Sequence, residues 1–204
     1  MRNRLIKILA AVLLCCSIVC FVIACAKGSD YTFPEYSYTN PDNSENPDLD
    51  EGITLDGDLG EDFWNGKWFS SSLQNQDDIW LEMTSRIGEK GVYFAFRVQD
   101  NPVYATEERE AFNNSGVELY ISTADGAETL NNATGAFEID VNANGMTRIS
   151  KWTARTSGYS SWPAKFYSAV KTQGGEVNTD ECTGYTIEMY LPYLMLGLDE
   201  KPEF

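Results

Sequence analysis

Four carboxylates stand at alternating positions inside apolar runs. Glu118 lies between Val117 and Leu119, Glu138 and Asp140 flank Ile139, and Glu188 lies between Ile187 and Met189. Two carboxylates at a suitable separation hydrolyse a glycosidic bond, one as acid and the other as base or nucleophile. No pair here is marked by opposed environments, and a carboxylate that alternates with core residues is ordinarily a solvated outward group. The chain contains no histidine. That removes Ser-His and Cys-His catalysis, His-ligated zinc and haem held by a proximal His. No glycine-rich phosphate loop and no Cys-x-x-Cys pair occurs in the sequence. Catalysis by these residues is therefore not expected.

The other chemistry-bearing groups suggest binding. Asp56, Asp58, Glu61 and Asp62 gather hard oxygen ligands in one short stretch. They are the candidates for a structural calcium ion, although their spacing matches no calcium loop, and otherwise they cap a turn. No further cofactor is implied. Tyr159 and Trp162 stand in the Gly/Ser-rich stretch 157–163, where a core role is not obvious and ring faces are candidates for ligand contact. Asp and Glu number 31 against 15 Lys and Arg, a net charge of −16. Such a surface repels phosphate backbones, so nucleic acid is not an expected partner. Neutral glycans and cations are compatible with it.

The first residues are read as an export signal. Arg2, Arg4 and Lys7 precede an apolar run, Ile8 to Ile23, interrupted only by Ser17. The run is shorter than the roughly 20 residues a spanning helix needs. Its end, Val22-Ile23-Ala24-Cys25, resembles a bacterial lipobox, in which the cysteine is lipidated and becomes the mature N-terminus. An ordinary signal peptide or an uncleaved anchor are the alternatives. All of them place the folded part outside the cytoplasm, and lipidation of Cys25 makes the chain a cell-surface or membrane-anchored lipoprotein. Loss of the three positive charges with the leader takes the net charge from −16 to −19. Cys15, Cys16, Cys20 and Cys25 belong to this segment, which leaves Cys182 as a lone thiol with a buried position expected. The organisation is therefore a leader over 1–24, a flexible tether over 25–51 rich in Pro, Asn, Asp and Tyr, and a folded domain over 52–204.

The elements that position these groups have a period of two. Apolar residues alternate at 79–83, 92–98, 117–121, 137–141 and 185–191, with weaker runs at 146–152 and 166–171. Asn144-Gly145 between two of the runs is a hairpin signal. Short turns are expected at 62–66 and 192–196, and no long amphipathic helix. This pattern predicts an all-β fold, an antiparallel two-layer β-sandwich with Phe94, Phe96, Leu119, Ile139 and Ile187 in its core.

Taken together, several segments resemble the family 9 carbohydrate-binding modules and their wider sandwich relatives. The segments are Ile53-Thr54-Leu55-Asp56-Gly57 through Phe63-Trp64, Gly91-Val92-Tyr93-Phe94-Ala95-Phe96-Arg97-Val98-Gln99-Asp100, Ser115-Gly116-Val117-Glu118-Leu119-Tyr120-Ile121, Pro163-Ala164-Lys165-Phe166, and Gly184-Tyr185-Thr186-Ile187-Glu188-Met189-Tyr190-Leu191-Pro192-Tyr193. The resemblance implies a non-catalytic module that binds polysaccharide or oligosaccharide between aromatic rings at one end of the sandwich. It puts Phe112 at a stacking position where the family has Trp, and Glu118 at a hydroxyl-accepting position. Asn113 and Asn114 beside them both donate and accept. A sugar-contacting Arg of the family falls at Glu138. The family pattern continues past the equivalent of Phe204, so further strands with a second stacking aromatic are expected to follow. The alternatives are a structural or interaction sandwich without a sugar site, or an accessory domain of a larger glycoside hydrolase.

Overall fold

The computed structural model describes residues 11–13, 47–73, 76–122, 136–153, 158–161, 165–199 and 201–202. They form two five-stranded antiparallel sheets packed face to face. The strands are β1 (Ala11–Leu13), β2 (Phe69–Leu73), β3 (Gln76–Ile87), β4 (Gly91–Gln99), β5 (Gly116–Ser122), β6 (Ala136–Asn142), β7 (Thr147–Thr153), β8 (Gly158–Ser161), β9 (Tyr167–Gln173) and β10 (Gly184–Pro192). One sheet has the order β1-β5-β6-β7-β8 and is called the β6 sheet here. The other, the β4 sheet, has the order β2-β3-β4-β10-β9. Among the described residues the helical content is two short 3-10 turns, Asp62–Trp64 and Ala111–Asn113. Among the described residues no helix is long and apolar enough to cross a membrane.

The alternating runs become strands because one side of each can be buried while the backbone pairs laterally. Phe94, Phe96, Leu119, Ile139 and Ile187 are all fully buried between the sheets, as expected. Cys182 is a free, buried thiol. The Asn144-Gly145 hairpin joins β6 to β7 and sets Asp140 opposite Arg148. β2 and β8 are additions to the sequence reading. β2 is an edge strand with three consecutive serines, so no apolar alternation announces it. Ala11–Leu13 pairs with β5, Val12 opposite Leu119, and forms the outer edge of the β6 sheet.

β4 and β10 are buried on both faces, because the chain from Asp48 to Trp68 lies across the outside of the β4 sheet. Asp50 donates its backbone N–H to the Tyr93 hydroxyl, and Tyr190 donates to the Asp48 and Lys90 carbonyls. Phe63, Trp64, Tyr93, Tyr190 and Tyr167 form a continuous set of ring contacts under this segment. At its centre Glu188, with no exposed surface, accepts three hydrogen bonds. The donors are the backbone N–H groups of Asp56 (2.9 Å) and Gly57 (2.7 Å) and the Trp64 indole (2.8 Å). Gly57 has φ +79, and a Cβ there would lie 2.8 Å from the Lys171 backbone nitrogen. Only glycine allows this turn to settle on the sheet.

Candidate functional site

The outside of the β6 sheet carries a different arrangement. Cross-strand pairing aligns Glu118 on β5, Asp140 on β6 and Arg148 on β7, with Tyr120, Glu138 and Ser150 in the next row. The β4–β5 connection folds over these rows through the 3-10 turn Ala111–Asn113, which contacts both β5 and β6. Ala111 is its buried foot. Asn114 ends the turn and is itself buried. Its side chain accepts from Thr106 N–H at 2.9 Å and donates to the carbonyls of Thr106 and Glu110. The local sequence therefore holds Phe112 at a fixed height above the sheet.

Arg148 is the hinge of the cluster. Its guanidinium lies over the Phe112 ring, 4.8 Å from the centroid, a cation–π arrangement. The same guanidinium donates from Nη2 to Glu138 Oε1 and from Nε to Asp140 Oδ2. Glu138 and Asp140 are both buried. The remaining oxygen of Asp140, Oδ1, and Glu110 Oε2 are buried with no hydrogen-bond partner among the described residues. Burial pushes the Asp140 carboxyl well above its ordinary range, reinforced by the negative charges of Glu118 and Glu110. Glu118, half-buried, is pushed up by desolvation and pulled back by Arg148 and by the Tyr120 hydroxyl, which donates to it at 3.4 Å. Two carboxyls, those of Glu138 and Asp140, thus share one guanidinium, and Glu118 and Glu110 add negative charge nearby. Such a cluster has acceptor capacity to spare and attracts hydrogen-bond donors.

Of the residues singled out from the sequence, Phe112, Glu118 and Glu138 come together here. Asn113 is exposed beside them, while the Asn114 amide is used within the loop. Tyr159 lies on β8 in register with Trp152, its side chain outside what is described. Trp162 and Cys25 lie outside the described residues. Glu188 is on the other sheet, in the three-donor pocket above. Asp56 and Asp58 are joined by a backbone-to-side-chain bond of 2.7 Å, Asp58 pairs with Lys171, and Asp62 accepts from Asn65. Among the described residues no three acidic, Cys or His side chains converge as a metal site. Sequence reasoning missed Arg148 and Glu110. The first was hidden by the register: a two-residue turn at Asn144-Gly145 would put position 148 opposite 141, whereas the observed three-residue loop 143–145 puts it opposite 140. Glu110 carried no signal.

No protein-family model matches this chain, and a search of curated proteins likewise finds no match.

Proposed function

We propose that the sandwich is a non-catalytic carbohydrate-binding module, carried outside the cell on a chain lipidated at Cys25. The observation that carries this reading is the pairing of a partly exposed ring, Phe112, with buried acceptor oxygens that no group among the described residues fills. A pyranose presents a C–H face suited to a ring and hydroxyls suited to carboxylates. The sequence resemblance to family 9 modules supports the same ligand class. Cleavage before Cys25 removes β1 and leaves β5 as the edge of the β6 sheet. The module is then held near polysaccharide as an independent unit or as the accessory part of a glycoside hydrolase.

The test is calorimetry against a panel of oligosaccharides. Affinity no tighter than about micromolar, or roughly −8 kcal/mol, is expected for a single small site. Phe112→Ala should weaken binding by about 1–3 kcal/mol, as for other aromatic stacking surfaces, with little change in melting temperature. A second reading, a sandwich with no sugar site, draws on the depth at which Glu138 and Asp140 are buried. On that reading Phe112→Ala lowers the melting temperature and the panel shows no binding. The lipid anchor is tested separately: fatty-acid labelling should disappear in Cys25→Ala.

A further inference from the structure

The segment that covers the β4 sheet does not cover all of it. Cross-strand pairs divide the outer face into rows. Thr84, Ala95, Glu188 and Ala169 form a row beneath Trp64 and the Asp56-Gly57 turn. The next row is Glu82, Arg97, Thr186 and Lys171, where Gly57 accepts from Thr186 at 2.6 Å and Trp68 lies against Arg97. Beyond it the row Ser72, Trp80, Gln99, Gly184, Gln173 has no covering segment among the described residues. A cleft of about 410 Å³ opens there, lined by Trp80, Arg97, Gln99, Asn101, Gln173 and Thr183.

We propose that this cleft is a second glycan subsite, for a neutral pyranose unit resting against Trp80. It shares no residue with the Phe112 cluster and does not depend on that site. Three features define the ligand class. First, the Trp80 indole donates to Gln99 Oε1 at 2.5 Å. This fixes the ring and the amide together and leaves the Gln99 amino group without an acceptor among the described residues. Secondly, Gly184 lies between Gln99 and Gln173, and a Cβ there would stand 2.4 Å from the Val98 carbonyl. No side chain fits, so the floor between the two amides is bare backbone. The amides at its edges supply both donors and acceptors, which is what vicinal hydroxyls require. Thirdly, among the described residues the one cation lining the cleft is already engaged. Arg97 lies 4.0 Å from the centre of the Trp68 ring and 3.5 Å from Glu82. The described lining of the cleft therefore offers no open cationic partner to a uronate or sulfate, and the net charge of −16 opposes one.

The experiment uses the full chain with neutral probes (cellohexaose, xylohexaose and mannohexaose) and one anionic probe, oligogalacturonate. Affinity is measured by calorimetry, and the Trp80 indole N–H resonance is followed during titration. At least one neutral hexasaccharide should move that resonance, and oligogalacturonate should not. Trp80→Ala and Gln173→Ala should each weaken that ligand at least fivefold. Gln173 is exposed on an edge strand, so its variant tests the site without disturbing the fold. Loss of binding in Phe112→Ala, with wild-type affinity in both Trp80→Ala and Gln173→Ala, would overturn this subsite and leave the Phe112 reading standing. The reverse result would support it and overturn the Phe112 reading. Wild-type protein that binds no neutral probe would overturn both.

Discussion

The two outer faces of the sandwich each bury carboxylates on an interior strand, and they treat them differently. Glu188 on β10 meets three N–H donors and has every strong contact it needs. Glu138 and Asp140 on β6 share a single arginine, and Asp140 Oδ1 is left without a partner among the described residues. A buried acceptor left unfilled costs about 1–3 kcal/mol. The β4 face thus uses its carboxylate to hold a chain segment down, whereas the β6 face keeps acceptors in reserve beside an aromatic ring. Carboxylates buried alike differ in the tally of their hydrogen bonds, which burial alone does not report.

The largest effect should come from removing the filled carboxylate. Glu188→Ala leaves two backbone N–H groups and one indole unpaired in the interior, and should cost about 3–5 kcal/mol in urea unfolding. A cost under about 1 kcal/mol would erase the distinction between the faces. A smaller effect is expected from pH. Burial holds Glu188 up at about 7, against the pull of its three donors. The folded chain therefore binds this proton more tightly than the unfolded chain does. This contribution to stability is greatest below the ordinary value of 4.5 and declines as pH rises toward 7. Glu118 and Asp140, also raised, act in the same sense. Unfolding free energy should fall by about 2–3 kcal/mol between pH 5 and pH 8, and Glu188→Gln should flatten the curve. A wild-type curve that rises over this range would contradict the assignment. The smallest change in stability belongs to Asp140→Asn. It relieves a crowded negative charge while keeping an oxygen for Arg148, so stability should move by less than about 1 kcal/mol while affinity for sugar falls. If it instead costs as much as Glu188→Ala, Asp140 is a structural carboxylate too.

Much of this was legible in the sequence. Where strands have one apolar face, as in 117–121 and 137–141, alternation located them to within a residue or two and named the core. The reading weakened where tertiary cover intervenes. Tyr93, Ala95 and Glu188 alternate as outward residues should, yet they are buried because a segment from far earlier in the chain lies over them. No local pattern reports that. β2 escaped because an edge strand with Ser70-Ser71-Ser72 needs no apolar face. At the candidate site Phe112 and Glu118 were singled out through resemblance, and the structure brings them into one cluster around Arg148. Arg148, which joins the ring to two carboxylates, becomes visible only once the hairpin register is drawn.

The described segment that begins at Pro47 meets the sandwich at one end. Asp48 and Asp50 are fastened beside Lys90, Tyr93 and Tyr190, where β4 begins. The Trp80 cleft and the Asp100–Ser115 connection that carries Phe112 lie toward Gln99, where β4 ends. Eight residue steps along an extended strand span roughly 26 Å. If the chain is anchored upstream of Pro47 as proposed, the module is presented with a polarity. Under the proposed anchoring and glycan binding, the fastened end would face the anchor, and both aromatic surfaces would point away from it toward a long polymer.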